Sequence, residues 1–119
     1  EQPVIAIIGD GSSMMTVQAL WTAAASRIPV VYIICNNQAY RILKLNMDVY
    51  KTQIRQETNH DSKYLAMDFP VRFDIAAIAE AIGVRGHTIE DPTTLAAAVR
   101  DAIALNEPVV LDVHIDGSL

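Results

Sequence analysis

The chain has 119 residues, the length of one ordinary domain, and 51% of it is hydrophobic with only 6% aromatic. Its formal net charge is −5, and its nine Lys and Arg are scattered, which leaves nucleic-acid and membrane-surface binding without an electrostatic footprint. The single cysteine, Cys35, excludes an intrachain disulfide and a cysteine metal cluster, and no apolar run approaches the ~20 residues of a membrane span, so a reducing, cytoplasmic setting is the default.

In chain order, Glu1-Gln2-Pro3 leads without an initiator Met into an apolar run, so residues 1–119 read as one domain of a longer multidomain chain. Val4–Ile8 is continuous and β-branched, which predicts a strand covered on both faces. Gly9-Asp10-Gly11-Ser12-Ser13 follows. Ser12 to Ser26 then keeps Met14, Val17, Leu20, Trp21, Ala24 and Ala25 on one face, which predicts a helix. Trp21 is expected in the core or as an interface anchor. Pro29 precedes a second strand, Val30–Cys35, in which Cys35 reads as a buried small hydrophobe.

Asn36-Asn37-Gln38 ends that strand, and Gln38 to Lys44 fits a short helix. Leu45 to Phe73 is long, polar and poorly periodic, which predicts a loop that is either functional, as a lid, or disordered. Lys44, Lys51 and Arg55 read either as solvated or as recognising a substrate carboxylate when that lid closes. Asp74 to Ile82 predicts a helix with Asp74 as N-cap and Gly83 at C′. Val84–His87 is a short third strand. Pro92 to Leu105 is a helix opened by Asp91, and Val109–His114 is the last strand. His60, His87 and His114 do not cluster and read as structural or solvent-facing. Strands alternating with helices predict an α/β fold, a doubly wound, mostly parallel sheet with helices on both faces.

The first strand-to-helix junction carries the chemistry. Two glycines let the backbone turn sharply and approach a ligand closely. A helix N-terminus favours an anion such as phosphate, and Ser12 and Ser13 offer hydroxyl donors. Asp10 is out of place beside a phosphate unless a cation lies between them, and a hard divalent ion resolves the conflict. Ligands bind beyond the C-terminal ends of parallel strands, so Asn37 at the second junction can reach the same ion with its amide oxygen. Backbone carbonyls in the next turn complete the protein's share.

Gly9-Asp10-Gly11, then 24 residues, then Asn36-Asn37, resembles the signature of thiamine-diphosphate-dependent enzymes. The flanks Met14-Met15, Gln18-Ala19-Leu20, Pro29 to Gln38 and Tyr40 are similar to the benzoylformate decarboxylase and acetolactate synthase branch, and the likeness runs from about Val4 to Val113. The resemblance implies the C-terminal diphosphate-binding domain, with Mg²⁺ held by Asp10, Asn37 and the Ala39 carbonyl. It implies cofactor contacts at Gly9, Asp10, Gly11, Ser12, Asn37 and Tyr40. It also implies Ile42 and Asn46 one helical turn apart, facing a substrate cavity. Asn46 stands where that branch often has a bulky aromatic, which counts against an aromatic substrate. The full enzyme implied is a decarboxylase or carboligase of small 2-oxo acids, a homodimer or homotetramer. Its cofactor-activating Glu lies in the pyrimidine-binding domain of a neighbouring subunit, so these 119 residues alone are expected to be inactive. On the residues themselves, a doubly wound nucleotide- or phosphate-binding module without thiamine chemistry stays open. So does a non-catalytic paralogue kept for assembly, against which the intact Asp10 and Asn37 speak.

Overall fold

The computed structural model describes residues 2–58, 61 and 63–117; His60 lies outside them. The strands β1 (Val4–Gly9), β2 (Val30–Asn36), β3 (Arg85–Ile89) and β4 (Val109–His114) form one sheet in the order β1-β2-β4-β3. Every pairing is parallel. The α-helices among the described residues are α1 (Asp10–Met15), α2 (Ala19–Ser26), α3 (Arg41–Val49), α4 (Ile75–Ile82) and α5 (Leu95–Leu105).

Strand alternation divides the core into two layers. Ile34 and Val110 point to one face, against Leu20 of α2 and Ile75 and Ala79 of α4. Val31, Val109, Leu111 and Val113 point to the other, against Ala102 of α5. Helices therefore cover both faces, and the doubly wound α/β expectation holds. β1 departs from the expected burial on both faces: Val4, Ile5 and Ile7 are exposed, Ile7 to 71%. It is an edge strand paired only with β2, and Ile8 is its side chain packed against the core.

The predicted helix from Ser12 to Ser26 is two helices. Ser13 donates its hydroxyl to the Asp10 carbonyl at 2.7 Å, and Thr16 leaves the helical region at φ −135°. A back-bonding Ser followed by β-branched Thr16 and Val17 weakens the helix where it breaks. Trp21 is 63% exposed, so within this chain it is not core. Cys35 is half-buried rather than buried. The third strand begins at Arg85 rather than Val84, because the Val84 N–H closes the α4 cap on the Ala79 carbonyl at 2.8 Å. The stretch from 45 is also more regular than its pattern suggests: α3 runs to Val49 and a π-helical turn continues over Tyr50–Ile54. α3 buries none of its residues and packs mainly on the turn that continues it. Among the described residues, no helix is long and apolar enough to cross a membrane.

Gly86 of β3 sets the spacing of α4 above the sheet. A Cβ there would collide with the Ala76 carbonyl of that helix, which is backbone and cannot swing aside. Gly86→Ala is expected to cost about 1–3 kcal/mol by overpacking. A urea unfolding curve checks this, with the midpoint lowered and the slope unchanged.

Candidate functional site

Gly9 and Cys35 are in register at the ends of β1 and β2, which sets Asp10 beside the 36–38 turn. Asp10 opens α1 and is 3% exposed. Its Oδ1 accepts from the Gly11 N–H at 2.8 Å, and its Oδ2 accepts from the Gln38 N–H at 2.7 Å. The second bond joins the two junctions. Asn37 Oδ1 accepts from the Ala39 N–H at 3.0 Å, an Asx turn that aims the amide. Ala39 forms an isolated antiparallel bridge with Asp68. The bonds beside it run from Phe69 N–H to the Gln38 carbonyl and from Tyr40 N–H to the Met67 carbonyl, both 2.8 Å. Ala39 thus turns its own carbonyl away from the 67–69 segment, as a non-hydrogen-bonded pair does.

Each of these side-chain oxygens keeps a spare lone pair after its N–H bond. Among the described residues, no Lys, Arg or His pairs with the Asp10 carboxylate. A buried anion with no cationic side chain is costly on its own. One carboxylate, one amide oxygen and one peptide carbonyl are hard donors that suit a small divalent cation such as Mg²⁺, which keeps several positions for phosphate oxygens and water. No group of three His, Cys, Asp or Glu that could hold a metal ion occurs among the described residues, so the donor set rests on one carboxylate.

The glycines act differently from the expectation of a sharp turn. Gly9 has φ −74°, and neither it nor Gly11 has positive φ. A Cβ on Gly9 would meet nothing within 4 Å, which leaves open space above the strand end. A Cβ on Gly11 would strike the Tyr40 ring. That ring is held edge-on to Phe69 at 4.8 Å, and Phe69 lies 5.0 Å from Phe73. Ser12 is exposed at the start of α1, whereas the Ser13 hydroxyl is already committed to Asp10. Tyr40 is half-buried, and its N–H donates to the Met67 carbonyl at 2.8 Å.

Ile42 and Asn46 lie one turn apart on α3 and both are exposed, so within this chain they face open space rather than a cavity. The cations near them are engaged. Lys44 pairs with Asp68 at 2.7 Å with its side chain only 11% exposed, and Arg55 pairs with Glu57 at 2.8 Å. Lys51 stacks over the Tyr64 ring at 4.5 Å and donates to the Asp61 carbonyl at 3.2 Å. Desolvation, together with a 2.6 Å hydrogen bond to Asp48, pushes the Tyr64 hydroxyl up to about 12. His87 is exposed, while His114 is half-buried against Arg72.

The family model for the thiamine pyrophosphate enzyme, C-terminal TPP binding domain, matches residues 1–113. The chain belongs to the thiamine pyrophosphate enzyme family. It is similar to the acetolactate synthase of Bacillus subtilis, 31% identical over 117 residues, covering 98% of this chain and 19% of that protein. Its fold superposes on a benzoylformate decarboxylase from Polynucleobacter necessarius with TM-score 0.82 and 28% identity, covering 99% of this chain and 20% of that one. A Rhodococcus jostii RHA1 thiamine diphosphate-dependent 4-hydroxybenzoylformate decarboxylase gives TM-score 0.81 and 32% identity, covering 99% and 21%. The chain spans about a fifth of the length of these relatives. The family match favours the thiamine reading over a nucleotide module.

Two buried residues of this thiamine pyrophosphate enzyme domain were not singled out by sequence reasoning. Asn36 is still inside β2, paired with His114, and is fully buried. Its Nδ2 donates to the Phe73 carbonyl at 2.9 Å and to Asp112 Oδ1 at 3.0 Å. Asp112 is 0% exposed, and its Oδ2 accepts from the Ile75 N–H at the start of α4 at 3.0 Å. Asn36 Oδ1 has no hydrogen-bond partner among the described residues. Asp112 stands inside an apolar strand run, and that oddity was the signal available.

Proposed function

We propose that this domain anchors the diphosphate of thiamine diphosphate through Mg²⁺, with Asp10, Asn37 and the Ala39 carbonyl as protein ligands. Gly9, Gly11, Ser12 and Tyr40 lie where the diphosphate would sit. The observation that carries this reading is the buried Asp10 carboxylate tied by Gln38 to the Asn37 turn. The parent enzyme acts on a small 2-oxo acid as a decarboxylase or carboligase, in the cytoplasm, as a homodimer or homotetramer. Thiamine diphosphate, when bound, supplies the electron sink for the carbanion left by loss of CO₂. This chain's own residues fix one end of the cofactor and thereby its register with the substrate. The pyrimidine-binding domain of a neighbouring subunit covers the other end, and α3 with the turn that continues it closes as a lid with it. The exposed Ile42 and Asn46 then gain the opposite wall of a substrate cavity.

Calorimetry of thiamine diphosphate binding to the full-length enzyme, freed of cofactor and metal, tests the reading. Saturable binding with Mg²⁺ and none with excess chelator is the expected result. Equal affinity in both conditions would refute a Mg²⁺-bridged diphosphate.

A further inference from the structure

The turn that carries Asn37 and Ala39 is held from outside the motif. Gln38 has φ 56°, a left-handed conformation that non-glycine residues rarely adopt. It persists where surrounding contacts over-determine it. Its N–H donates to Asp10 Oδ2 at 2.7 Å, and its carbonyl accepts from Phe69 N–H at 2.8 Å. Its side-chain Oε1 accepts from Arg72 Nη2 at 3.1 Å. Arg72 Nη1 meets His114 Nδ1 at the end of β4. An Arg cannot accept, so in this arrangement Nδ1 is the lone-pair nitrogen. His114 Nε2 then faces the buried Asp112 Oδ2 at 3.9 Å. Glu90 Oε1 lies 3.3 Å from the same Nδ1.

Arg72 is exposed, yet its fork reaches two separate strand ends at once. One compact ammonium does not span two such acceptors in fixed geometry. We propose that Arg72 is a positioning residue for the cation site. By pinning the Gln38 side chain to β4, it keeps the Gln38 N–H on Asp10 and holds the Asn37–Ala39 turn in register with that carboxylate. This rests on the reading of Asp10, Asn37 and Ala39 as cation ligands. Partners that orient metal ligands typically change metal affinity or activity by ~10–100-fold when removed.

The test uses the full-length enzyme, freed of cofactor and metal, and its variants Arg72→Met, Arg72→Lys and Asp10→Ala. Calorimetry gives the Mg²⁺ concentration for half-maximal thiamine diphosphate binding. Hydrogen exchange of the Gln38 amide and the melting temperature are read on the metal-free protein. Arg72→Met is expected to raise the half-saturating Mg²⁺ by about 10-fold and to speed Gln38 exchange. Arg72→Lys, which reaches one acceptor, restores part of both. A Mg²⁺ requirement within about twofold of wild type in Arg72→Met, beside a large loss in Asp10→Ala, overturns the role of Arg72 and leaves the site standing. Unchanged Mg²⁺ binding in Asp10→Ala overturns the site itself. A lowered melting temperature with an unchanged Mg²⁺ requirement assigns Arg72 to stability alone and also overturns the proposal.

Discussion

Asp10→Ala is expected to raise the Mg²⁺ needed for thiamine diphosphate binding by more than about 100-fold, beyond the usual effect of residues that only orient a ligand. Asp10 is the charged member of the proposed donor set, and the amide and the peptide carbonyl beside it are neutral. Its loss also frees the Gln38 N–H, which Asp10 accepts at 2.7 Å, so the turn bearing the other two ligands loses its tie to β1. Metal-free stability falls too. The Gly11 and Gln38 N–H groups lose their acceptor, at about 1–3 kcal/mol for each donor left buried and unpaired. Asp10→Asn separates the two effects. It preserves volume and one acceptor oxygen, so its metal-free unfolding in urea lies between wild type and Ala while its Mg²⁺ affinity stays close to that of Ala. An Asn variant that binds Mg²⁺ like wild type would show that charge is not what the site requires.

Much of this was legible in the chain. Continuous β-branched runs at 30–35 and 109–114 identified the buried strands, and Asp74, Gly83 and Asp91 marked helix ends that the structure keeps. Gly9-Asp10-Gly11 and Asn36-Asn37 located two strand tips that do come together. Local pattern failed where non-local contacts decide. The edge position of β1 depends on strand order, which a run of apolar residues does not encode. The aromatic row uses the chain's two phenylalanines, Phe69 and Phe73, within a stretch without period, so nothing local linked them to Tyr40 or Gly11. The left-handed Gln38 is imposed by Asp10, Phe69 and Arg72, all distant in sequence. Asn36 stands in the motif beside the expected ligand Asn37, and its side chain turns into the core because the strand period places it opposite Asn37.

That inward turn makes Asp112 a residue whose loss should destabilise the fold strongly. Asp112 lies in β4, one of the two interior strands, opposite Ile34 on one side and Thr88 on the other. Its two oxygens accept from two different elements, Asn36 Nδ2 at the tip of β2 and Ile75 N–H at the start of α4. An acceptor-only group is needed, because both neighbours are donors. Asp112→Leu leaves the Ile75 N–H and one of the two Asn36 Nδ2 hydrogens buried without an acceptor, while the other keeps the Phe73 carbonyl, and is expected to cost about 2–6 kcal/mol, the sum of two unpaired N–H groups. Asp112→Asn keeps the shape but turns its NH₂ toward one of the donors, so about 1–3 kcal/mol is expected. Urea unfolding of the two variants, with equal slopes, gives both numbers. The consequence for the site follows from adjacency. Asn36 also holds the Phe73 carbonyl, and Asn37 is the next residue, so a loosened β2 tip moves the amide proposed for the cation. The Asn variant should therefore lose Mg²⁺ affinity as well as stability. A variant within about 0.5 kcal/mol of wild type would mean that the buried carboxylate is replaceable, and that the β2 tip is held by the sheet alone.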